Sequence, residues 1–253
     1  MSESVILCEG YHDRAFWAGW LTHFGCTDPG EQPGKVDRIP VKDPWGITVA
    51  RGHFAYHSPS GKFVRITPCH GKNNVLPAAG SRLKDRQGKP LTRLVISTDS
   101  DVVAAPAADT GAVPGYQAVE ELLKEFGSPP KNEHGEFVLD DGATIISVVQ
   151  WQAEDAPAPG LPEKQTLERL ACAALVAAFP ERGQAVRHWL DSRPGALAAG
   201  PKEHSWSHMA GWYAEFGCDA FYRKLWLEDR VAEQLRLRLT NSGAWRVAEA
   251  LAE

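Results

Sequence analysis

Apolar and polar positions follow three rhythms along this chain. The first is the short apolar run: Val5-Ile6-Leu7-Cys8, then Leu94-Val95-Ile96 within Arg93–Thr98, then Thr144–Val149, interrupted by Ser147. Runs of this length predict strands buried on both faces, as in a parallel sheet. The second is helical. Phe16, Trp17, Trp20, Leu21 and Phe24 form one stripe, and Val119, Leu122, Leu123 and Phe126 form another. The third is alternation, over His53–His57 and Lys62–Ile66 around Ser58-Pro59-Ser60-Gly61. It predicts a β-hairpin at a sheet edge.

The remaining pattern completes the outline. A helix is expected from about Val75 to Leu83, with short strands near 36–41 and 137–139. Past the Pro- and Gly-rich linker 156–162, helical spacing takes over. Leu167, Leu170, Ala174, Leu175 and Ala178 mark one helix, Val186, Trp189 and Leu190 a second, and Trp206, Met209, Ala210 and Tyr213 a third. Phe221–Leu225, Val231–Leu239 and a stretch after Asn241-Ser242-Gly243 follow. The expected fold is α/β: a Rossmann-like, mainly parallel sheet flanked by helices, over residues 1–160. A β-hairpin insertion near 47–68 decorates it, and a helical part, 161–253, packs on it.

Composition narrows the class. With 253 residues, 43% hydrophobic and 23% charged, the chain reads as an ordinary globular protein. No apolar run approaches the roughly 18–20 residues that cross a bilayer, and Met1-Ser2-Glu3-Ser4 lacks a basic leader, so a cytoplasmic protein with no membrane partner is expected. The five cysteines are scattered without Cys-x-x-Cys spacing, which fits buried thiols rather than zinc or a disulfide framework. A net charge of −5 argues against coating nucleic acid by bulk charge. The distribution says more. Lys62, Arg65, Lys72, Arg82, Lys84, Arg86, Lys89 and Arg93 face the single Asp85 over that stretch, and acids dominate from Leu94 to Asp155. A basic segment can hold phosphates beside a metal pocket; equally, it can be a solvated loop. Nine tryptophans invite base stacking, but Trp17, Trp20, Trp206 and Trp245 sit on helix stripes and are expected in the core.

Chemistry concentrates where two buried strands end. Glu9 follows Val5–Cys8, and Asp99-Ser100-Asp101 follows Arg93–Thr98. If those strands are parallel in one sheet, Glu9, Asp99 and Asp101 share an edge, where such folds bind ligands. Three close carboxylates need a compensating charge, and hard oxygen donors suit Mg²⁺ or Mn²⁺. Asp13, one turn beyond Glu9, is either a further ligand or a helix cap. Gly71-Lys72-Asn73-Asn74 precedes the next helix and suits a phosphate, with Lys72 as cation and Gly71 permitting close approach. His70 is a base, a ligand or a structural residue. A third strand ends near Glu154 and Asp155, expected as solvated loop charges, and 102–114 is a lid or a plain loop.

Glu9-Gly-x-x-Asp13 with Asp99-x-Asp101, and Gly71-Lys72-x-Asn74 between them, resembles the Toprim pattern shared by topoisomerases, bacterial primases and nucleases of the overcoming-lysogenization-defect type. Leu167-Glu168 and Lys202 resemble later elements of the small stand-alone members. The resemblance implies Asp99 and Asp101 as metal ligands and Glu9 as a ligand or general acid/base. It adds Glu168 as a further acid and Lys202 as a transition-state cation. Lys72, Asn74, Arg82 and Lys84 are the candidates for holding nucleic acid. The chain has no strand-passage domains and no primase accessory regions, which leaves a metal-dependent nuclease of DNA or RNA, expected as one component of a phage-defence or nucleic-acid-processing system. No Gly-x-x-x-x-Gly-Lys-[Ser/Thr] is present, so an ATPase would be a separate partner, and a homo-oligomer is open. The alternative is a non-catalytic Toprim-like module that binds nucleic acid or protein.

Overall fold

The computed structural model describes residues 2–32, 34, 37–50, 52–101, 114–139, 142–156, 161–192 and 217–253. By their contacts the residues form two compact units. One comprises Met1–Thr98, Ala112–Val149 and Arg246–Glu253, the other Asp99–Gly111 and Gln150–Trp245. The expected boundary at 160 therefore differs from the observed division, which falls at 149/150 and returns the C-terminal segment to the first unit.

The strands are β1 (Glu3–Cys8), β2 (Val41–Lys42), β3 (Thr48–Val49), β4 (Ala55–His57), β5 (Phe63–Pro68), β6 (Leu91–Asp99), β7 (Phe137–Val138) and β8 (Ile145–Trp151). Six of them form one sheet in the order β4-β5-β1-β6-β8-β7, and β2 and β3 make a separate antiparallel pair. β1 is parallel to β5 on one side and to β6 on the other. The fold is thus α/β with a mainly parallel sheet, as the apolar runs predict.

Helices α1 (Tyr11–His23), α2 (Lys72–Lys84) and α3 (Pro114–Lys124) cover this sheet. The chain passes from β1 through α1 to β5, then back across β1 through α2 to β6. With right-handed crossovers, that reversal puts α1 on one face and α2 and α3 on the other. The packing agrees. Val5, Leu7, Leu94 and Ile96 share a core with Val75, Ala79 and Leu83 of α2 and Val119 and Leu123 of α3. On the opposite face Ser97, paired with Cys8, accepts a buried hydrogen bond from the Trp17 indole at 3.0 Å. Trp17 and Trp20 are fully buried, so these two indoles are core residues.

The expected hairpin forms as β4 and β5, with β4 at the sheet edge. β5 goes further and pairs with β1 from Glu3 opposite Phe63 to Cys8 opposite Pro68. The inserted piece is the β2–β3 pair, whose first strand begins at Val41 rather than near 36. Alternation in β5 comes from Arg65, whose charge is met by Glu3 and Asp43 at 3.1 and 2.7 Å.

That pair belongs to a wider ionic network. Glu3 is almost fully buried and takes Arg82 at 2.8 Å as well as Arg65. Arg93 donates to Glu136 and Ser147, and Arg246 reaches Glu136 at 3.1 Å. Burial pushes the Glu136 carboxyl up. Hydrogen bonds from Asn132, Arg246 and Ser147, with the Arg93 charge, outweigh it and hold the group at about 2.

In the second unit α4 (Leu167–Ala178) is followed by α5 (Pro180–Ser192), α6 (Gly217–Lys224) and α7 (Asp229–Asn241). α4 packs on α7, and Leu167, Leu170, Ala174 and Leu175 of the first and Val231, Leu235 and Leu239 of the second are buried. Arg169 has no exposed surface and donates to the carbonyls of Ala153, Pro162 and Asp155, tying the segment after β8 to α4. Asp155 is paired with Arg238, with Nε to Oδ2 at 2.8 Å. It is a structural ion pair rather than the solvated charge expected. The last helix, α8 (Ala244–Ala252), closes the chain. Among the described residues no helix is long and apolar enough to cross a membrane.

Candidate metal and phosphate site

A parallel sheet in which one strand's crossover leaves to one face and its neighbour's to the other has a switch point between them, and ligands bind outside the carboxyl ends there. Here β1 feeds α1 and β6 feeds toward α3, on opposite faces. The switch point therefore lies at β1 and β6. Glu9 follows the last residue of β1. Cys8 pairs with Ser97, two residues before Asp99 ends β6. β1 and β6 are thus neighbouring parallel strands, with Glu9 just past the end of one and Asp99 ending the other.

Each motif is held locally. Beyond β1 the pairing with the post-β5 segment continues in two backbone bonds. The Cys69 amide donates to the Cys8 carbonyl at 2.8 Å, and the Gly71 amide to the Glu9 carbonyl at 2.7 Å. Gly71 has φ +120°, a conformation side chains disfavour, and His70 before it has φ 57°. Two successive positive φ values turn the chain from β5 straight into α2, so Lys72 becomes the first helical residue, next to the residue bonded to Glu9. The Asn74 amide side chain donates to the His70 carbonyl at 3.2 Å and fixes that turn. Asp13 is buried and accepts the Gly10 amide at 3.2 Å, which gives it the capping role of the two considered.

The β6 acids are held at the start of α4. The Leu167 amide donates to Asp99 Oδ1 at 2.9 Å. The Asp101 amide donates to the Gln165 carbonyl at 3.0 Å, with Asp101 itself at φ 57°. Gln165 in turn clips both backbone groups of Ala153 at 2.7 and 3.0 Å, and Thr166 caps α4 by accepting the Arg169 amide. Glu168, half-buried, is the second residue of α4, where the helix dipole favours an acid. Gln165 and Thr166 were missed by sequence reasoning; the helix-cap preference of Thr before an apolar run is the signal that could have found Thr166.

Two predicted phosphate contacts do not belong here. α2 runs from the carboxyl edge of the strands back to the amino edge, so Arg82 lies roughly 15 Å along the helix from Lys72 at 1.5 Å per residue. Arg82 is committed to Glu3 and to the Lys89 carbonyl, and Lys84 pairs with Glu125 at 3.3 Å. Arg65, Arg82 and Arg93 of the basic segment thus serve the fold. Lys202, Trp206 and residues 102–113 lie outside the described residues.

Among the described residues no group of three His, Cys, Asp or Glu side chains is placed so that it could hold a metal ion, and Glu9, Asp99 and Asp101 do not form such a group. The donors at the two strand ends are nonetheless hard carboxylate oxygens. Mg²⁺ in phosphate chemistry is commonly held by one or two carboxylates, with water and substrate phosphate completing its shell. A site of that open kind would need only one or two of these carboxylates. Cys8, buried at the end of β1, has its thiol pushed well up by burial and then by the Asp13 carboxylate and Cys69.

No protein-family model and no curated protein matches the chain. A solved structure that resembles it is that of a hypothetical protein from Pyrococcus horikoshii OT3, with a TM-score of 0.69 at 18% identity over 100% of both chains. That likeness concerns the fold.

Proposed function

We propose that this protein is a divalent-metal-dependent nuclease of the Toprim kind, hydrolysing phosphodiester bonds in DNA or RNA with Mg²⁺ or Mn²⁺. The observation that supports the reading is the parallel pairing of β1 with β6, with Glu9-Gly-x-x-Asp13 following the first strand and Asp99-x-Asp101 beginning at the end of the second. Glu9, Asp99 and Asp101 are the candidate donors, of which one or two would hold the ion with water and substrate phosphate completing its shell. A bound ion of this class neutralises phosphate charge and lowers the pKa of a bound water. Lys72, with the start of α2 behind it, binds a substrate phosphate. Glu168 and Lys202 are the further acid and cation of the same reading. The buried free thiols Cys8, Cys26, Cys69 and Cys172 support a cytoplasmic setting.

Asp99→Asn is the decisive variant, because an amide oxygen keeps the Leu167 hydrogen bond while the charge is lost. Purified wild type should cut DNA or RNA with Mn²⁺ and stop in EDTA, and Asp99→Asn should be folded and inactive. Equal cutting by that variant would sink the site assignment. The second reading, a non-catalytic module binding nucleic acid or protein, draws on the bond from the Leu167 amide to Asp99, which gives that acid a structural use. Tight nucleic-acid binding without turnover in any divalent metal would favour it.

A further inference from the structure

Tyr11 is 47% exposed, and its surroundings distinguish it from a scattered surface aromatic. It is the first residue of α1, two positions after Glu9. Its ring is held edge-on by two others, with centroids 6.5 Å from Phe54 and 5.6 Å from His70. The Arg14 guanidinium, itself buried, lies 5.3 Å from the Tyr11 centroid and 4.9 Å from that of Phe54. Gly52 fits closely against Phe54, since a Cβ at that position would come within 2.7 Å of the ring. A packed base therefore orients the tyrosine before any ligand arrives, and little side-chain freedom is left to lose on binding.

His70 supplies an independent observation. It is exposed, and its backbone sits at φ 57°, a sparsely populated region for a residue with a side chain. That conformation sets its imidazole edge-on to Tyr11, two residues ahead of Lys72. One aromatic cluster thus joins the segment bearing Glu9 to the segment bearing Lys72. An exposed ring against His70, two residues ahead of the proposed phosphate cation Lys72, would suit a single strand, where each phosphate has a base free to stack. In a duplex that base is already stacked and its face is hidden.

We infer that Tyr11, backed by His70, Phe54 and Arg14, is a stacking platform for a base of single-stranded nucleic acid, which makes the substrate single-stranded. The inference rests on the nucleic-acid reading above and names the form of polymer taken. It is tested by fluorescence anisotropy in EDTA, where no cleavage occurs, using labelled oligothymidylate, an abasic strand of equal length and a blunt duplex. Wild type should prefer oligothymidylate to both others. Tyr11→Phe should bind like wild type. Tyr11→Ala, checked for folding by circular dichroism, should lose roughly tenfold in affinity for oligothymidylate and nothing for the abasic strand. A folded Tyr11→Ala that binds oligothymidylate as well as wild type, or a wild type that prefers duplex, overturns the platform. Stacking without cleavage in Mn²⁺ would uphold it while the nuclease reading falls; cleavage with unchanged Tyr11→Ala binding would do the reverse.

Discussion

The Gly71 amide donates to the Glu9 carbonyl at 2.7 Å, so the loop bearing the candidate phosphate cation is an extension of the strand bearing the candidate ligand. Gly71 itself takes φ +120°, which turns the chain from that bond into α2. Open space surrounds the missing Cβ, so a larger residue there would suffer from conformation and not from collision. Gly71→Ala should cost about 1–3 kcal/mol of stability in urea unfolding, with the strain located at this turn. An unchanged midpoint would mean that the turn relaxes at no cost and that Lys72 is less firmly placed than the geometry implies.

Asp99 has a structural duty separable from its proposed chemistry. Its Oδ1 accepts the Leu167 amide at 2.9 Å, satisfying a donor at the start of α4. Asp99→Ala should therefore lose about 1 kcal/mol of stability, in the range of helix-cap deletions, and Asp99→Asn clearly less. Chemical denaturation of the two variants beside wild type reads the difference. Equal destabilisation by both would show that charge at the helix terminus, not the hydrogen bond, carries the effect.

Acid titrates a different part of the molecule. Glu136 is held at about 2 against an ordinary 4.5, so its folded value is depressed. Its contribution is then complete above about 4.5 and lost as pH falls toward 2, because the unfolded chain takes the proton first. The shift corresponds to about 3 kcal/mol. Glu136→Gln should therefore be less stable than wild type near neutral pH, with the gap narrowing as pH drops below about 4.5. A gap independent of pH would place the loss in packing and not in the charge shared with Arg93 and Arg246.

Much of the fold was legible because burial on both faces leaves a plain mark. Val5–Cys8, Arg93–Thr98 and Thr144–Val149 had to be inner strands, and the α1 stripe of Phe16, Trp17 and Trp20 had to face a core. The place of β5 was not legible. Arg65 breaks its apolar run, and nothing nearby says that Glu3 and Asp43 neutralise that charge. The basic segment misled for the same reason, since a local count of cations cannot see carboxylates supplied from distant parts of the chain. The acidic motifs could be read from their strands, whereas Gln165, which holds Asp101 through its backbone, is an ordinary residue whose role exists only in the folded chain.

Lys72 and Arg82 are on one helix, and the sequence alone assigns them the same task. The structure separates them. Arg82 meets the buried Glu3 at 2.8 Å, and its removal leaves a buried carboxylate with Arg65 alone. Arg82→Ala should lose about 1–3 kcal/mol of stability while leaving the salt dependence of nucleic-acid binding as in wild type. Lys72→Ala should do the opposite. Its stability should stay within about 1 kcal/mol of wild type, and the slope of log affinity against log salt should fall by about one, the loss of a single phosphate contact. Titrating both variants with oligonucleotide over a range of salt tests the pair together. A reduced slope in Arg82→Ala, or an unchanged slope in Lys72→Ala, would move the phosphate contact away from the carboxyl edge of the sheet and take the nuclease reading's phosphate subsite with it.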